Sequence, residues 1–492
     1  MLRSFFDNMR YFMSKVLVFD FGASSARAII VSFDGKTFGM NEIHRFPNEP
    51  ITADGTLYWD IDRLLGEVKT ALGKAVTEGI EAVSVDTWGV DFAVVADDGS
   101  FIERPVHYRD NRTRAVIDEV NGLFGGAEKL YLRTGIQPAW FNTIYQIYAL
   151  KKVRPESLER GHFLMMPDLI CNFLTGEFHN EYAEATTSSL LDPETKSWDK
   201  DILRTLGIND GIFCDMINSG EVFGYMKPEF AGDRKIPVIA VPSHDTAAAV
   251  TAVPASEKEF AFISTGTWAL FGTELDRAVI SREAFDAGLT NEGGHSGTVT
   301  FLKNIMGMWL FQECRRSFRL TDSGIGFPEM EKLAEAAEPL KYFIDPNDSS
   351  FAQPDDMPEK ISAYIKRTGQ GDVTDMGALL RAVYDSLAAE FAVTLDDIER
   401  ITGRKFDAVY MFGGGTKDRL ICRLTADYTG KRVVAGPTEA TALGNAVSAL
   451  IGIGALGSVA EAREIIRRSG LTKEYEPNFN YSAKERYKAA VK

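Results

Sequence analysis

The sequence predicts an α/β protein built from two similar halves that fold around a cleft. At 492 residues the chain exceeds what one hydrophobic core usually covers. A strand, a small-residue turn and a second strand occur twice, in KVLVFDFGASSARAIIVSFDG (Lys15 to Gly35) and in EFAFISTGTWALFGTEL (Glu259 to Leu275). Between them VPSHDTAAAV (Val241 to Val250) sets an acid and an imidazole at the start of an Ala-rich helix. Turns rich in Gly, Ser and Thr aim several N–H groups and hydroxyls at one point, which suits phosphate oxygens. The pattern therefore predicts phosphoryl-transfer chemistry with Asp245 facing the cleft.

Composition narrows the partners. The chain is 45% hydrophobic and 25% charged, as folded domains are. Its net charge of −16 argues against nucleic acid or an anionic membrane as partner, and means that an anionic nucleotide needs locally placed donors. The four cysteines (Cys171, Cys214, Cys314, Cys422) are far apart with no C-x-x-C, so structural zinc is not expected and reduced thiols in the cytoplasm are. No apolar run is long enough to span a bilayer, and MLRSFFDNMRYFM lacks the apolar stretch of a signal peptide. Residues 1–13 are expected to be a disordered extension without function.

In the first half VLVFDF (Val16 to Phe21) reads as a buried central strand. Its single acid, Asp20, sits beside the turn and reads either as a turn cap or as a holder of a hydrated Mg²⁺ ion. Gly22 allows the turn, Ser24 and Ser25 offer hydroxyls, and Arg27 a cation; neither GxxxxGK[ST] nor GxGxxG is present. A polar hairpin and an amphipathic helix (Ile61 to Thr77) lead to EAVSVDTWGVDFAVVADDG (Glu81 to Gly99). Its alternation predicts two strands joined at Trp88-Gly89, with Asp86, Thr87 and Asp91 around the ring as either a sugar contact or ordinary core. HYRDNRTR (His107 to Arg114) reads as a solvated helix start. Phe141 to Lys152 and Met166 to Gly176 have helical spacing, the second stopped by Gly176. Asn180 to Ser189 is a polar connection able to line a cleft.

At the centre, IPVIAVPSHDTAAAV gives a strand, Pro242 as its stop, and a helix that Ser243 or His244 caps, whose dipole favours an ionised Asp245. STGTW (Ser264 to Trp268) repeats the first turn with Thr265 and Thr267. Asn291 to Arg316 reads as a strand entering a helix with Lys303 and Asn304 at its mouth, and Asp375 to Thr402 as a long helix. Lys405 to Gly430 is a strand, three glycines and a helix; small residues there let a base or ribose approach the backbone, and the helix N-terminus favours phosphate. A last strand, Pro437 and an Ala-rich helix follow, with Gly444 allowing close packing.

Through DFGASSAR, DTWGVDF, HYRDNRTR, FNTIYQ, MPDLICNFLTG, SHDTAAAV, STGTW, TNEGG, LKNIMGMWLFQ, DPNDSSF, FGGGTKD and AGPTEATALGN, the chain resembles the FGGY carbohydrate kinases over nearly all of residues 14 to 480. The resemblance implies two duplicated actin/hexokinase/Hsp70-like (ribonuclease H-like) ATPase domains around a nucleotide cleft. Residues 14–255 would carry the sugar site, the first phosphate loop and the base, and residues 256–480 the second loop and the adenosine site. It implies ATP and Mg²⁺ as cofactors and transfer to the C1 hydroxyl of a ketose, L-rhamnulose first, with L-fuculose, D-xylulose and L-ribulose as alternatives, in a cytoplasmic monomer or homodimer. By position Asp245 is the base. Thr87, Trp88, Gly89, His244, Asp245, Thr246 and Asn304 would contact the sugar, whose methyl would meet Trp88, Phe92 or Phe141. Ala23, Ser24, Ser25, Ala26, Arg27, Thr267, Gln312 and Gly414 would contact ATP, and Asp20 with Asp245 would hold the metal. Ala26 and the Lys417-Asp418 pair depart from the family's usual residues, and a closely spaced cysteine pair of some members is missing. An actin- or Hsp70-like ATPase driving a binding cycle is the reading from another class; it would need a peptide-binding or polymer-forming module beside the ATPase core.

Overall fold

The computed structural model describes residues 13–320, 323–478 and 482–491, so the extension expected at residues 1–13 lies outside the described residues except for Met13. Two sheets dominate. The first contains β1 (Ser14–Phe21), β2 (Ser25–Phe33), β3 (Phe38–Pro47), β4 (Ala82–Asp86), β5 (Val222–Tyr225) and β6 (Pro237–Ile239), in the order β5-β6-β4-β1-β2-β3. The second contains β7 (Ala261–Thr265), β8 (Trp268–Leu275), β9 (Leu289–Gly293), β10 (Val299–Met306), β11 (Ala408–Phe412), β12 (Arg432–Ala435) and β13 (Lys473–Tyr475), in the order β9-β10-β8-β7-β11-β12-β13.

Within these sheets one five-stranded pattern appears twice. In β3-β2-β1-β4-β6 the first three strands are antiparallel and the last two run parallel to β1. In β10-β8-β7-β11-β12 the same senses recur. The apolar run Val16 to Phe21 is buried because β1 is a central strand; β3, at the edge, is mostly exposed and correspondingly polar.

Among the helices, α1 (Ile61–Ala75) is capped by the Asp60 carboxylate, which accepts from Arg63 N, and buries Ile61, Leu64, Val68 and Leu72 on one face. Helix α2 (Thr143–Val153) is buried over its first eight residues, and α3 (Met166–Thr175) ends where Gly176 turns left-handed at φ 86°. The helices that matter most for the site are α4 (Asp245–Thr251), α5 (Trp309–Phe318), α6 (Met376–Thr402), α7 (Arg419–Thr429) and α8 (Ala440–Gly452).

Each half lends a helix to the other. Ala442, Leu443, Ala446, Val447 and Leu450 of α8 pack with Val16, Val18, Val31 and Ile239 of the first sheet. Ala249 and Val250 of α4 pack with Phe260, Phe262, Tyr410 and Phe412 around the second. Full burial of the Val, Leu, Ile and Phe side chains among them stabilises by roughly 1.5–3 kcal/mol each, so the crossing helices join the halves rather than merely touching. Their closest approach is at Gly444, where a Cβ would stand 1.8 Å from the Ala248 carbonyl oxygen. Beside it Asn445 Nδ2 donates to Asp86 Oδ2 at 2.5 Å, both side chains being fully buried.

Three expectations change. The strands expected to join at Trp88-Gly89 belong to different sheets: β4 ends at Asp86, while Phe92–Val95 pairs with Phe101–Glu103 and His162–Met165 in a separate three-stranded sheet. Lys303 and Asn304 lie inside β10, paired with Phe271 and Leu270, and the helix starts only at Trp309. HYRDNRTR is no solvated helix start but a half-buried loop with one 3-10 turn, Asn111–Thr113. Its charges are committed: Arg112 Nη2 donates to Gln146 Oε1 at 2.7 Å, and the His107 ring stacks on Trp59 with centroids 4.0 Å apart.

Candidate active site

A cleft of about 540 Å³ runs between the two sheets, with both small-residue turns on its walls. The first turn follows β1: Gly22 N donates to Ser25 O, and Asn48 braces it from behind by donating from N to Ser24 O and from Nδ2 to Gly22 O. The second follows β7: Met308 N donates to Gly266 O, and Gly307 N and Trp309 N donate to Thr267 O, so the start of α5 holds it. Both turns are therefore fixed by backbone bonds, leaving the hydroxyls of Ser24, Ser25 and Thr267 on the cleft wall.

Asp245 stands between the turns because Thr87 clamps its backbone. Thr87 N donates to Ser243 O and Asp245 N donates to Thr87 O, each at 2.8 Å. Glu181, buried behind, accepts from Ser243 N at 3.0 Å and Ser243 Oγ at 2.9 Å. Neither Ser243 nor His244 caps α4 through its side chain: the serine hydroxyl is taken by Glu181, and the His244 ring turns into the cleft. His244 Nε2 lies 3.4 Å from Asp245 Oδ1 and His244 Nδ1 lies 3.2 Å from Glu292 Oε2. The Asp245 side chain keeps 35% of its surface open.

Electrostatics in this corner follow from burial among like charges. Asp20 pairs across the β1/β2 ladder with Arg27 and lies beside Asp86 in the β1/β4 ladder. Burial raises the pKa of Asp20 above the usual carboxylate value; Arg27 opposes the rise and Asp245 adds to it. Burial likewise raises Asp245, with the His244 ring opposing and Glu292 adding. For His244 burial works against the charged ring, but the Glu292 carboxylate, then Asp245, outweigh it and move the pKa up to about 8. Arg27 Nη2 donates to Asp20 Oδ2 at 2.5 Å and its Nη1 donates to Glu439, so one guanidinium ties the two halves at the cleft wall.

The opposite end of the cleft is aromatic. Trp88, Val90, Tyr108, Ile136, Phe141 and Trp268 line it, with Asn142, Thr187 and Asn304 as polar neighbours. Asp91 organises this end without facing it. It accepts from Trp59 Nε1 at 2.7 Å, Trp88 Nε1 at 3.0 Å, Tyr108 N at 3.1 Å and Gln146 Nε2 at 2.9 Å. Its complete burial lifts its pKa to about 6 against the pull of the Trp59, Gln146 and Trp88 donors and of the Arg112 charge. Between Gly89 and Asp91 the backbone turns left-handed at Val90, φ 72°, an uncommon conformation for a β-branched residue. Thr187 Oγ1 accepts from Val90 N, and Thr143 Oγ1 and Gln146 Nε2 donate to Val90 O.

Most residues singled out from the sequence meet here. Asp20, Ala23, Ser24, Ser25, Arg27, Trp88, Gly89, His244, Asp245, Thr246, Thr267, Asn304 and Gly414 all line the cleft. Thr87 and Ala26 do not: both are fully buried, Ala26 between Phe21 and Phe46 in the sheet. Gln312 is exposed on α5, outside the lining. Phe92 is buried behind the wall and cannot meet a ligand. Of the three glycines, Gly413 and Gly415 are small because a Cβ would stand 2.6 Å and 2.8 Å from Thr265 atoms; only Gly414 has open space before it. Nor is the N-terminus of α7 free for phosphate, because Asp418 Oδ1 accepts from Leu420 N and Ile421 N. Gln137, Thr290, Glu292 and Lys417 line the cleft and were not singled out as contacts. For Glu292 a signal existed in TNEGG, but its meaning depends on a strand pairing that no local pattern reveals.

Comparisons with known proteins agree with this plan. Residues 15–252 match the model of the FGGY family of carbohydrate kinases, N-terminal domain, and residues 261–453 match its C-terminal domain. A curated rhamnulokinase of Halalkalibacterium halodurans is 40% identical over 468 residues, 94% of this chain and 99% of the relative. One of Oceanobacillus iheyensis is 38% identical over 92% of this chain and 96% of its own. Among solved structures, a gluconate kinase from Lactobacillus acidophilus superimposes with a TM-score of 0.78 at 16% identity, covering 97% of this chain and 96% of that one, a likeness of fold. Two duplicated halves, two phosphate-type turns and an acid between them are the actin/hexokinase-like ATPase arrangement, and with both domain models matched in order the chain belongs to the FGGY family of carbohydrate kinases, phosphotransferases that act on a sugar hydroxyl.

Proposed function

We propose that this chain transfers the γ-phosphoryl group of ATP to the C1 hydroxyl of a ketose, with L-rhamnulose as preferred acceptor. The sugar follows the names of the two curated relatives. The observation that carries the chemistry is Asp245, whose backbone is clamped by Thr87 between the two turns while a third of its side-chain surface stays open to the cleft. In this reading residues 14–255 supply the sugar site and base and residues 256–480 the adenosine site. All four cysteines are buried and unpaired, which supports a reducing compartment.

Phosphoryl transfer has a loose transition state, so positioning and charge neutralisation lower most of the barrier. The C1 oxygen attacks phosphorus in line, Asp245 takes its proton, and ADP leaves. Burial raises the proton affinity of Asp245, which makes it the stronger acceptor. The turns at Gly22–Ser25 and Gly266–Thr267 face the phosphates, Gly414 the adenosine, and His244, Thr246, Gly89 and Asn304 the sugar. Trp88, Ile136 and Phe141 form the apolar wall for a 6-deoxy carbon. A magnesium ion, when bound, would neutralise phosphate charge. Asp20 and Asp245 would hold it largely through water, the mode this cation prefers. Arg27 already pairs with Asp20, so Asp245, with a third of its side chain open, is the freer of the two to face such an ion.

The test is ADP release with ATP and Mg²⁺, comparing L-rhamnulose, L-fuculose, D-xylulose and L-ribulose. L-Rhamnulose should lead in kcat/KM, with residual activity on the others: L-fuculose keeps the same methyl and differs only in hydroxyl stereochemistry, and the two pentuloses lack the sixth carbon, a loss worth roughly 10- to 200-fold in an apolar pocket. Asp245→Asn should lower kcat by roughly 10²- to 10⁴-fold, the usual share of a positioned base, with the ketose KM little changed. Another ketose in the lead would overturn the sugar, and a variant that keeps its turnover would overturn the base.

A further inference from the structure

Four consecutive residues of β9, the edge strand of the second sheet, each reach across to the first half. Gln137 N donates to Thr290 Oγ1 at 3.1 Å. Asn291 donates from both N and Nδ2 to Gly135 O, each at 3.0 Å. Gly293 N donates to Thr186 Oγ1 at 2.7 Å. The fourth contact is that of Glu292 with His244 at 3.2 Å. On its other side β9 is paired with β10 through all five residues. Thr290 and Glu292, two positions apart, share the strand face turned to the cleft.

Glu292 is thus anchored from both flanks by bonds that do not involve its own carboxylate. The imidazole beside it has a carboxylate near each nitrogen, Glu292 at Nδ1 and Asp245 at Nε2. Little water reaches the pair, the His244 and Glu292 side chains being 13% and 10% exposed, so the ring takes its orientation from protein groups. With Glu292 at Nδ1, Nε2 is the nitrogen turned to Asp245. Asp245, more open, has one other side-chain hold among the described residues, Thr246 Oγ1 donating to its Oδ1 at 3.3 Å.

We propose that Glu292 is a positioning residue for phosphoryl transfer, acting through His244 to hold the Asp245 carboxylate toward the acceptor hydroxyl. The proposal rests on the reading of Asp245 as base. It also makes the sugar end of the site composite, because the base belongs to one half and its orienting carboxylate to the other.

The test compares Glu292→Gln, His244→Gln and the double variant in ketose-dependent ADP release, with thermal unfolding as a check on folding. Glu292→Gln should lower kcat by roughly 10- to 100-fold, part of what a positioned base supplies, and leave the KM for ATP within about twofold. Glu292→Asp, which keeps the charge but draws it back by one methylene, should fall between. If Glu292 acts through His244, the double variant should be no slower than His244→Gln alone; losses that multiply would mean an independent role and overturn the proposal. A readout without turnover separates this from the functional reading. Glu292→Gln should move the Nδ1 nitrogen resonance of His244, identified among the six histidines by its loss in His244→Gln. An unmoved resonance overturns the contact itself. A wild-type protein with no ketose-stimulated release would instead overturn the kinase reading, and with it the catalytic consequence, while the resonance still decides the contact.

Discussion

Lys417 lines the cleft beside Gly413 and Gly414 and makes no ion pair among the described residues, whereas Arg27 is tied to both Asp20 and Glu439. In a chain of net charge −16 an uncompensated cation on the cleft wall is what a polyphosphate needs. One charged contact in a solvated cleft is worth about 1 kcal/mol, so Lys417→Ala should raise the KM for ATP by roughly fivefold at low salt. The ketose KM should stay unchanged. An ATP KM that does not move would show that Lys417 faces solvent rather than nucleotide. The departure at 417 and 418 was visible in the sequence, but its two residues part ways in space. Asp418 caps α7, and its pKa rises to about 6 through burial, while Lys417 enters the cleft. Asp91 teaches the same lesson from the other side. In DTWGVDF it reads either as a sugar contact or as ordinary core, and it serves by holding two tryptophan rings and Gln146, partners 32, 3 and 55 positions away. Residue type announces that an acid matters, but only the tertiary partners say whether it touches the substrate.

At the scale of elements, strands and turns were legible where the signal is local. The repeated apolar strand, small-residue turn and second strand became the β1/β2 and β7/β8 hairpins, each with its turn on the cleft wall. What could not be read was which sheet a strand joins, as Phe92–Val95 shows by leaving β4 for a separate sheet. Gly444 lies between these cases. An Ala-rich helix with one glycine signals a close approach, and the approach proves to be the crossing of α4 and α8. A Cβ there would press on backbone, which cannot swing aside as a side-chain tip does. Gly444→Ala should therefore destabilise by about 1–3 kcal/mol, the range for overpacked sites, despite the better helix propensity of alanine. Thermal unfolding reads this as a lower Tm for the whole chain, since α4 and α8 each pack against the sheet of the other half. A Tm equal to or above that of the parent protein would show that the helices move apart freely.

At the scale of the whole molecule, the halves are joined along a seam rather than at one hinge. Helices α4 and α8 cross, β9 bonds to residues 135, 137 and 186, and Arg27 bridges at the cleft. His295 sits beside this seam: the next residue, Ser296, donates from N to Ser219 Oγ of the first half at 2.8 Å, while the His295 Nδ1 lies 3.1 Å from Ser448 Oγ of α8, and Arg463, paired with Glu274, stands near. Burial, then the charge of Arg463, lowers its pKa to about 4. An unfolded chain binds a proton at this histidine below about pH 6.5, and the folded one refuses it until about pH 4. Its contribution to stability is thus level above pH 6.5 and declines as pH falls through that window. Asp91 and Asp418, both raised to about 6, act with opposite sign: the folded state takes their protons first, and the stability they add in acid is lost as pH rises through 6. The total pH profile mixes these groups, so the informative quantity is the difference between the parent protein and His295→Asn, in which the aspartates cancel. The Tm gap between the two should shift in favour of the variant as pH falls from 7 to 5. A gap that stays constant would mean that His295 takes up its proton in the folded state as readily as in the unfolded one, and that the seam admits water at this point.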